Sequence, residues 1–133
     1  MFYRYFSSCR YNPESNEDYP FEIRMPDGWK ARKTFGAEKY YNMWATCEDN
    51  DGNMKTYGAG DVGYLIGDAT GDRRDSFVPL DVPEGTFMMR ITCQGSMVHA
   101  VDNNGNFWMW GESIYGSGDE TDRNALYEDY EAR

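Results

Sequence analysis

Two stretches of this chain are written in the same order, 53 positions apart. Trp44-Ala-Thr-Cys-Glu-Asp-Asn-Asp-Gly-Asn-Met-Lys-Thr-Tyr-Gly58 is followed by Ala-Gly-Asp-Val-Gly63. Met97-Val-His-Ala-Val-Asp-Asn-Asn-Gly-Asn-Phe-Trp-Met-Trp-Gly111 is followed by Glu-Ser-Ile-Tyr-Gly116. Gly52 matches Gly105, Gly58 matches Gly111, Gly63 matches Gly116, and Asn53 matches Asn106. Pro26 and Pro79 share the spacing. A fixed period of this size means supersecondary units that stack, because one such unit cannot bury its apolar face alone.

Each unit reads as strand, tight turn, strand and glycine loop. Asp51-Gly52 and Asn104-Gly105 predict two-residue turns of type I′, which need positive φ at both central residues. Met43–Asp49 with Asn53–Tyr57, and Ser96–Asp102 with Phe107–Trp110, form the two hairpins. Phe2–Phe6 and Phe21–Met25 are strand candidates; residues 11–20 are polar loop, and Pro26-Asp-Gly28 is a turn. Residues 29–42 carry no clear periodicity. Glycines from 58 to 71 predict a loop, prolines keep Phe77–Leu80 and Val82 extended, and Thr86–Thr92 is a strand. The repeat domain spans 1–119, divided roughly as 1–53, 54–106 and 107–119, with an acidic arm over 120–133. Within that arm Asn124–Ala132 has the spacing for two helical turns, with Leu126, Tyr127 and Tyr130 on one stripe.

Phe107-Trp-Met-Trp110 is apolar at every position. A strand with one wet face alternates, so this run predicts a sheet covered on both sides, as in small sheets stacked face to face. Trp108, Trp110, Tyr57 and Tyr5 are expected to pack between such sheets.

The strand–(Asp/Asn)-Gly–strand–aromatic–Gly–x-x-x-x–Gly pattern of 45–67 and 98–116 resembles the RCC1-type repeat. Tyr57-Gly58, Trp110-Gly111 and Gly63-Tyr-Leu-Ile-Gly67 are its most specific parts. The likeness runs over residues 40–118; Phe6 stands where a glycine is expected. It implies an all-β, blade-like fold, a partial β-propeller of four-stranded antiparallel blades, of which a full ring usually holds about seven. It also implies protein–protein or chromatin-linked roles, including nucleotide exchange on a small GTPase, an activity not carried over because no specific catalytic segment matches. The chain holds about two and a half repeats, so three outcomes stay open. Copies of the chain complete a ring, another protein supplies the missing surface, or the repeats close on themselves as a small sandwich.

Charge narrows the partners. With 23 acidic against 13 basic residues the net charge is −10, which argues against direct binding to nucleic acid or an anionic membrane. No apolar run is long enough to span a membrane. The N-terminus has no apolar core or cleavage pattern of a secretory signal, and the chain is expected to begin partway through a repeat. Cys9, Cys47 and Cys93 are odd in number and widely spaced, which predicts reduced thiols in a cytoplasmic-type compartment or a large particle such as a virion. Lys30, Arg32, Lys33 and Lys39 form a local basic cluster, read as neutralising nearby carboxylates.

Motifs that suggest chemistry have plainer readings. Gly58-Ala-Gly-Asp-Val-Gly63 matches the dinucleotide fingerprint, but the glycines after it oppose the helix that motif requires. Glu48–Asn53 is rich in oxygen ligands, yet Cys47 and Gly58 sit where a calcium loop needs carboxylates. His99 is the single histidine and has no partner set in the sequence. No cofactor, metal or catalytic residue is therefore assigned. The expected role is a non-enzymatic structural or interaction subunit of a larger assembly. Asp61, Tyr64, Asp119, Glu120, Tyr127 and Tyr130 are the candidate partner surface, since propeller-like folds bind through loops. The other reading is a small acidic inhibitor or virion-type protein that covers a basic surface as a homo-oligomer.

Overall fold

The structure, a computed structural model, describes residues 3–4, 20, 22–38 and 40–112. The expectations for Phe2, Tyr5, Phe6, Cys9, Lys39, Gly116, the loop over 11–19 and the arm over 120–133 lie outside these residues. The described chain is all-β, in nine strands: β1 Tyr3–Arg4, β2 Glu22–Ile23, β3 Lys30–Gly36, β4 Asn42–Glu48, β5 Met54–Gly60, β6 Arg74–Pro79, β7 Met88–Gln94, β8 Met97–Asp102 and β9 Phe107–Gly111. A short parallel pair joins β1 to β2. The rest forms two antiparallel, blade-like sheets, the first in order β3-β4-β5-β6 and the second in order β7-β8-β9. A 3₁₀ turn, Gly63–Leu65, follows β5.

The two hairpins share one register. From Trp44 to Glu48 the pairs of the first hairpin recur in the second after the same shift: Trp44 faces Gly58 as Met97 faces Gly111, Ala45 faces Tyr57 as Val98 faces Trp110, and Cys47 faces Lys55 as Ala100 faces Trp108. The turns also match bond for bond. Asp49 Oδ1 accepts from the backbone N–H groups of Asp51 and Asn53, both at 2.9 Å. Asp102 Oδ1 accepts from those of Asn104 and Asn106, at 2.8 and 2.9 Å. The turn type differs from the expected I′. Gly52 and Gly105 take φ of 86° and 84°, but Asp51 and Asn104 do not share positive φ. Gly52 N–H donates to the Asp49 carbonyl, and Gly105 N–H to that of Asp102. This is a type I turn closed by a left-handed glycine, the usual form for a slightly longer hairpin loop. The aspartate carboxylate, which caps the turn's N–H groups, favours it over the two-residue loop.

Two further elements depart from the sequence reading. Residues 30–36, read as irregular, form β3. The strand is exposed at nearly every position, so no apolar alternation marks it; lysines on a sheet edge are the usual guard against unwanted pairing. Gly58 and Gly60 belong to β5 rather than to a loop. A side chain at Gly58 would meet the Trp44 indole at 2.8 Å, so the glycine makes room for its cross-strand partner.

The main core lies between the sheets. It joins Trp44, Leu65 and Leu80 to Met88, Ile91, Cys93, Val98, Ala100, Trp108 and Trp110. Trp44 Nε1 donates to the Ile66 carbonyl at 3.1 Å and Trp110 Nε1 to the Leu65 carbonyl at 2.7 Å. Two indoles, one per sheet, thus hold the 3₁₀ turn and satisfy their own buried N–H groups. A smaller cluster of Ala45, Cys47 and Tyr57 lies on the opposite face of the first sheet, under Met25, Trp29 and Phe77.

Candidate interaction surface

Each hairpin has two faces, fixed by the alternation of strand side chains. In the first hairpin one face carries Trp44, Thr46 and Thr56, and the other Ala45, Cys47 and Tyr57. Both are covered. The Trp44 face meets the second sheet, and Trp29 lies edge-on to Tyr57 at 5.6 Å on the other, with Lys55 Nζ 5.4 Å from the Trp29 ring.

A buried hydroxyl clamp joins the sheets. Thr46 Oγ1 and Thr56 Oγ1 lie 2.9 Å apart. Thr46 donates to the Met88 carbonyl at 2.7 Å, and Met88 N–H donates to Thr56 Oγ1 at 2.8 Å. Both threonines are fully buried. The Met88 backbone groups, which lie at an irregularity of the β7–β8 ladder, are therefore paired across the interface, as buried backbone groups must be.

In the second hairpin the shift by 53 positions carries Ala45, Cys47 and Tyr57 onto Val98, Ala100 and Trp110. These, with Trp108, form the buried face that packs on the first sheet. The same shift carries Trp44, Thr46 and Thr56 onto Met97, His99 and Met109, on the remaining face. Among the described residues that face is less covered: Phe107 is 63% exposed, and Met97, His99 and Met109 are half-buried. The Phe107 and His99 rings lie 5.8 Å apart. The expectation that the Phe107–Trp110 strand is covered on both sides thus holds for Trp108 and Trp110 only. Arg90, Thr92 and Gln94 of β7 share this face, which carries no carboxylate among the described residues. A groove of about 490 Å³ runs beside it between β3 and β7, lined by Lys33, Phe35, Met89, Arg90 and Ile91.

The loop after β5 positions the sequence-predicted residues. Asn42, buried on β4, donates to and accepts from the Val62 backbone at 2.9 and 3.1 Å. This holds Asp61 and Tyr64 on either side of it. Arg73 Nε lies 3.4 Å from Asp61 Oδ1. Burial, then the neighbouring Asp75 carboxylate, raise the Asp61 carboxyl above its ordinary range. Tyr64 is exposed, and its hydroxyl donates to Glu112 Oε2 at 3.3 Å, bridging to the end of β9. A cavity of about 240 Å³ opens beside Tyr64, floored by Trp110 and walled by Gly63, Gly67 and Thr70. Asp68, held by Arg74 at 2.6 Å and by Thr70, braces its rim. Asp61 and Tyr64 therefore share one loop, away from the Phe107 face. Asp119, Glu120, Tyr127 and Tyr130 lie outside the described residues.

The other chemistry-bearing residues have structural partners. Both Asp49 oxygens are engaged by its own turn, the second by Asn53 Nδ2 at 3.0 Å. Asp102 Oδ2 accepts from Trp108 Nε1 at 2.8 Å. Arg32 of the basic cluster pairs with Glu48 at 2.9 Å. Gly63 opens the 3₁₀ turn, and the chain returns to strand at Arg74 with no α-helix after the glycine motif among the described residues. Sequence reasoning missed Met89, Arg90 and Phe107 as surface, because Phe107–Trp110 is apolar at every position and the irregularity at Met88–Arg90 breaks the alternation of β7. No family model, curated protein or solved structure matches the chain.

Proposed function

We propose that the chain is a non-enzymatic structural or protein–protein interaction subunit, built from RCC1-like repeats and completed by another protein surface. One observation carries this reading. The face that is fully buried at Trp44, Thr46 and Thr56 in the first repeat is only half-buried at Met97, His99 and Met109 in the second, with Phe107 exposed at its edge. Contiguous exposed apolar patches mark interaction sites more often than scattered single residues do. The face fits a protein rather than a nucleic acid: it mixes Met97, Val101, Phe107 and Met109 with polar side chains, and the chain as a whole is strongly acidic. A photo-crosslinking phenylalanine analogue in place of Phe107, in the cells that make the protein, tests it. Covalent adducts of discrete mass are expected from position 107 and not from Glu84, an exposed residue in the connection between the sheets. Absence of adducts at 107 would overturn the reading.

A further inference from the structure

The interface between the two sheets shows what kind of surface fits the open face. The sheets do not meet through like faces. The Val98–Trp110 face of the second hairpin sits on the Trp44 face of the first, and the shift by 53 positions makes these opposite faces of one repeat. The stack is therefore directional, with unlike ends. One end is the Phe107 face, which occupies the position the first sheet uses to receive the second. The other end is the outer side of the first sheet, the face that does the seating in the second hairpin. There Tyr57 lies beneath Met25, Trp29 and Phe77, all three half-buried.

We infer that the Phe107 face receives the Trp29 layer of a second copy of this chain, so that copies associate head to tail. This rests on the reading of that face as an interaction surface and names its occupant. Both ends carry large apolar side chains, Met97, Phe107 and Met109 at one and Met25, Trp29 and Phe77 at the other. Among the described residues the Phe107 face offers Arg90 and His99 and no carboxylate, while the Trp29 end has Asp27 and Asp75 at its margin, paired with Arg24 and Arg73. In a chain of net charge −10, a carboxylate-free face is the part of the surface that a second acidic copy approaches with least repulsion. A contact between unlike faces leaves each copy with one free end. Such contacts close into a ring if the rotation per copy permits, and otherwise continue as a filament. The three-stranded face, with strands about 4.8 Å apart and residues about 3.3 Å apart, offers a few hundred Å², below the ~800 Å² per partner of stable complexes. The association is accordingly one that dilution reverses.

The test is sedimentation of the purified full-length chain over a concentration series into the millimolar range, with two sets of variants. Phe107→Asp and Met109→Asp each block the open face; Met25→Asp and Lys55→Glu each alter the opposite end. Circular dichroism and thermal melting confirm that each variant is folded, and the second of each pair serves if the first is not. The wild-type mass is expected to rise above one chain with concentration. A blocked variant of either kind is expected to stay a single chain. An equimolar mixture of the two kinds is expected to recover association but to stop at two chains, since one intact face of each kind remains. A wild-type chain that stays single throughout overturns the inference. So does an opposite-end variant that still pairs while Phe107→Asp does not, because that result describes a symmetric contact of like faces. Discrete adducts at position 107 to a different protein, with a single-chain wild type, would retain the interaction surface and remove the second copy as its occupant.

Discussion

The hairpins β4–β5 and β8–β9 have the same register, the same turn and the same glycine within the second strand, and their surroundings differ. The Trp44 face of the first is sealed by a second sheet; its counterpart in the second meets solvent at Phe107. Backbone geometry follows from local chemistry, an aspartate and a left-handed glycine at each turn. Burial follows from which neighbour arrives. Position by position the difference is legible in residue type. Thr46 and Thr56, which bond to the facing backbone, become His99 and Met109 where no described backbone faces them. Even matched glycines differ in cause. Gly58 clears the Trp44 indole, whereas Gly111 has a φ of 131° and its added Cβ would strike the Ser96 carbonyl.

The largest expected effect separates the cores of the two repeats. Trp44→Ala removes a fully buried indole and leaves the Ile66 carbonyl unpaired, so urea denaturation should show a loss of about 3–5 kcal/mol. Met97→Ala, the matched change in the second hairpin, removes a half-buried side chain and should cost less than half as much. Equal losses would break the contrast. Thr56→Val probes the clamp. It keeps the shape but strands the Met88 N–H, at a cost of about 1–3 kcal/mol, while Met109→Val should change stability by under ~1 kcal/mol.

Acid should distinguish the turns. Burial raises the Asp102 carboxyl, but donation from Trp108 Nε1 and from the Asn106 and Asn104 N–H groups outweighs it and holds the carboxyl below the ordinary range. The Asn53 side chain, followed by backbone N–H groups, holds Asp49 low despite some desolvation. A carboxyl lowered by folding stabilises above its unfolded value, near pH 3.9; that contribution is lost as pH falls through the lower folded value. Wild-type stability should therefore drop below about pH 5. Asp102→Asn should flatten this drop more than Asp49→Asn, because only Asp102 also holds a buried indole. The smallest effect is kinetic. Burial pushes the Cys47 thiol up to about 11 and raises that of Cys93, so neither should alkylate readily at neutral pH while folded. In a Cys9→Ser background, Cys93 should label before Cys47, since its sheet has one covered face and three strands. Labelling in the reverse order would mean that the open-faced sheet is the more rigid.

The hairpins and the all-β fold were readable because turn residues and apolar strands fall at fixed spacing. Strand β3 was not, since an edge strand rich in lysine has no buried face to leave a pattern. The turn type was missed because Asp-Gly serves two hairpin loops, and a side-chain cap two residues earlier decides between them. At the candidate surface, Asp61 and Tyr64 were found as loop residues. Met89, Arg90 and Phe107 were missed because an apolar run states that a face seeks cover, not that its own chain provides it.

The threonine clamp has a consequence for synthesis. Thr46 reaches Met88 across 42 residues, whereas each turn closes within a few. Local contacts form early and distant ones late, because closing a longer loop costs more entropy. As the chain leaves the ribosome, residues 30–79 can pair as a sheet before 88–111 have emerged, and for that interval Trp44, Thr46 and Thr56 stand uncovered. The nascent chain thus passes through a stage in which its first sheet displays an unfilled face, as the second sheet of the described fold does at Phe107.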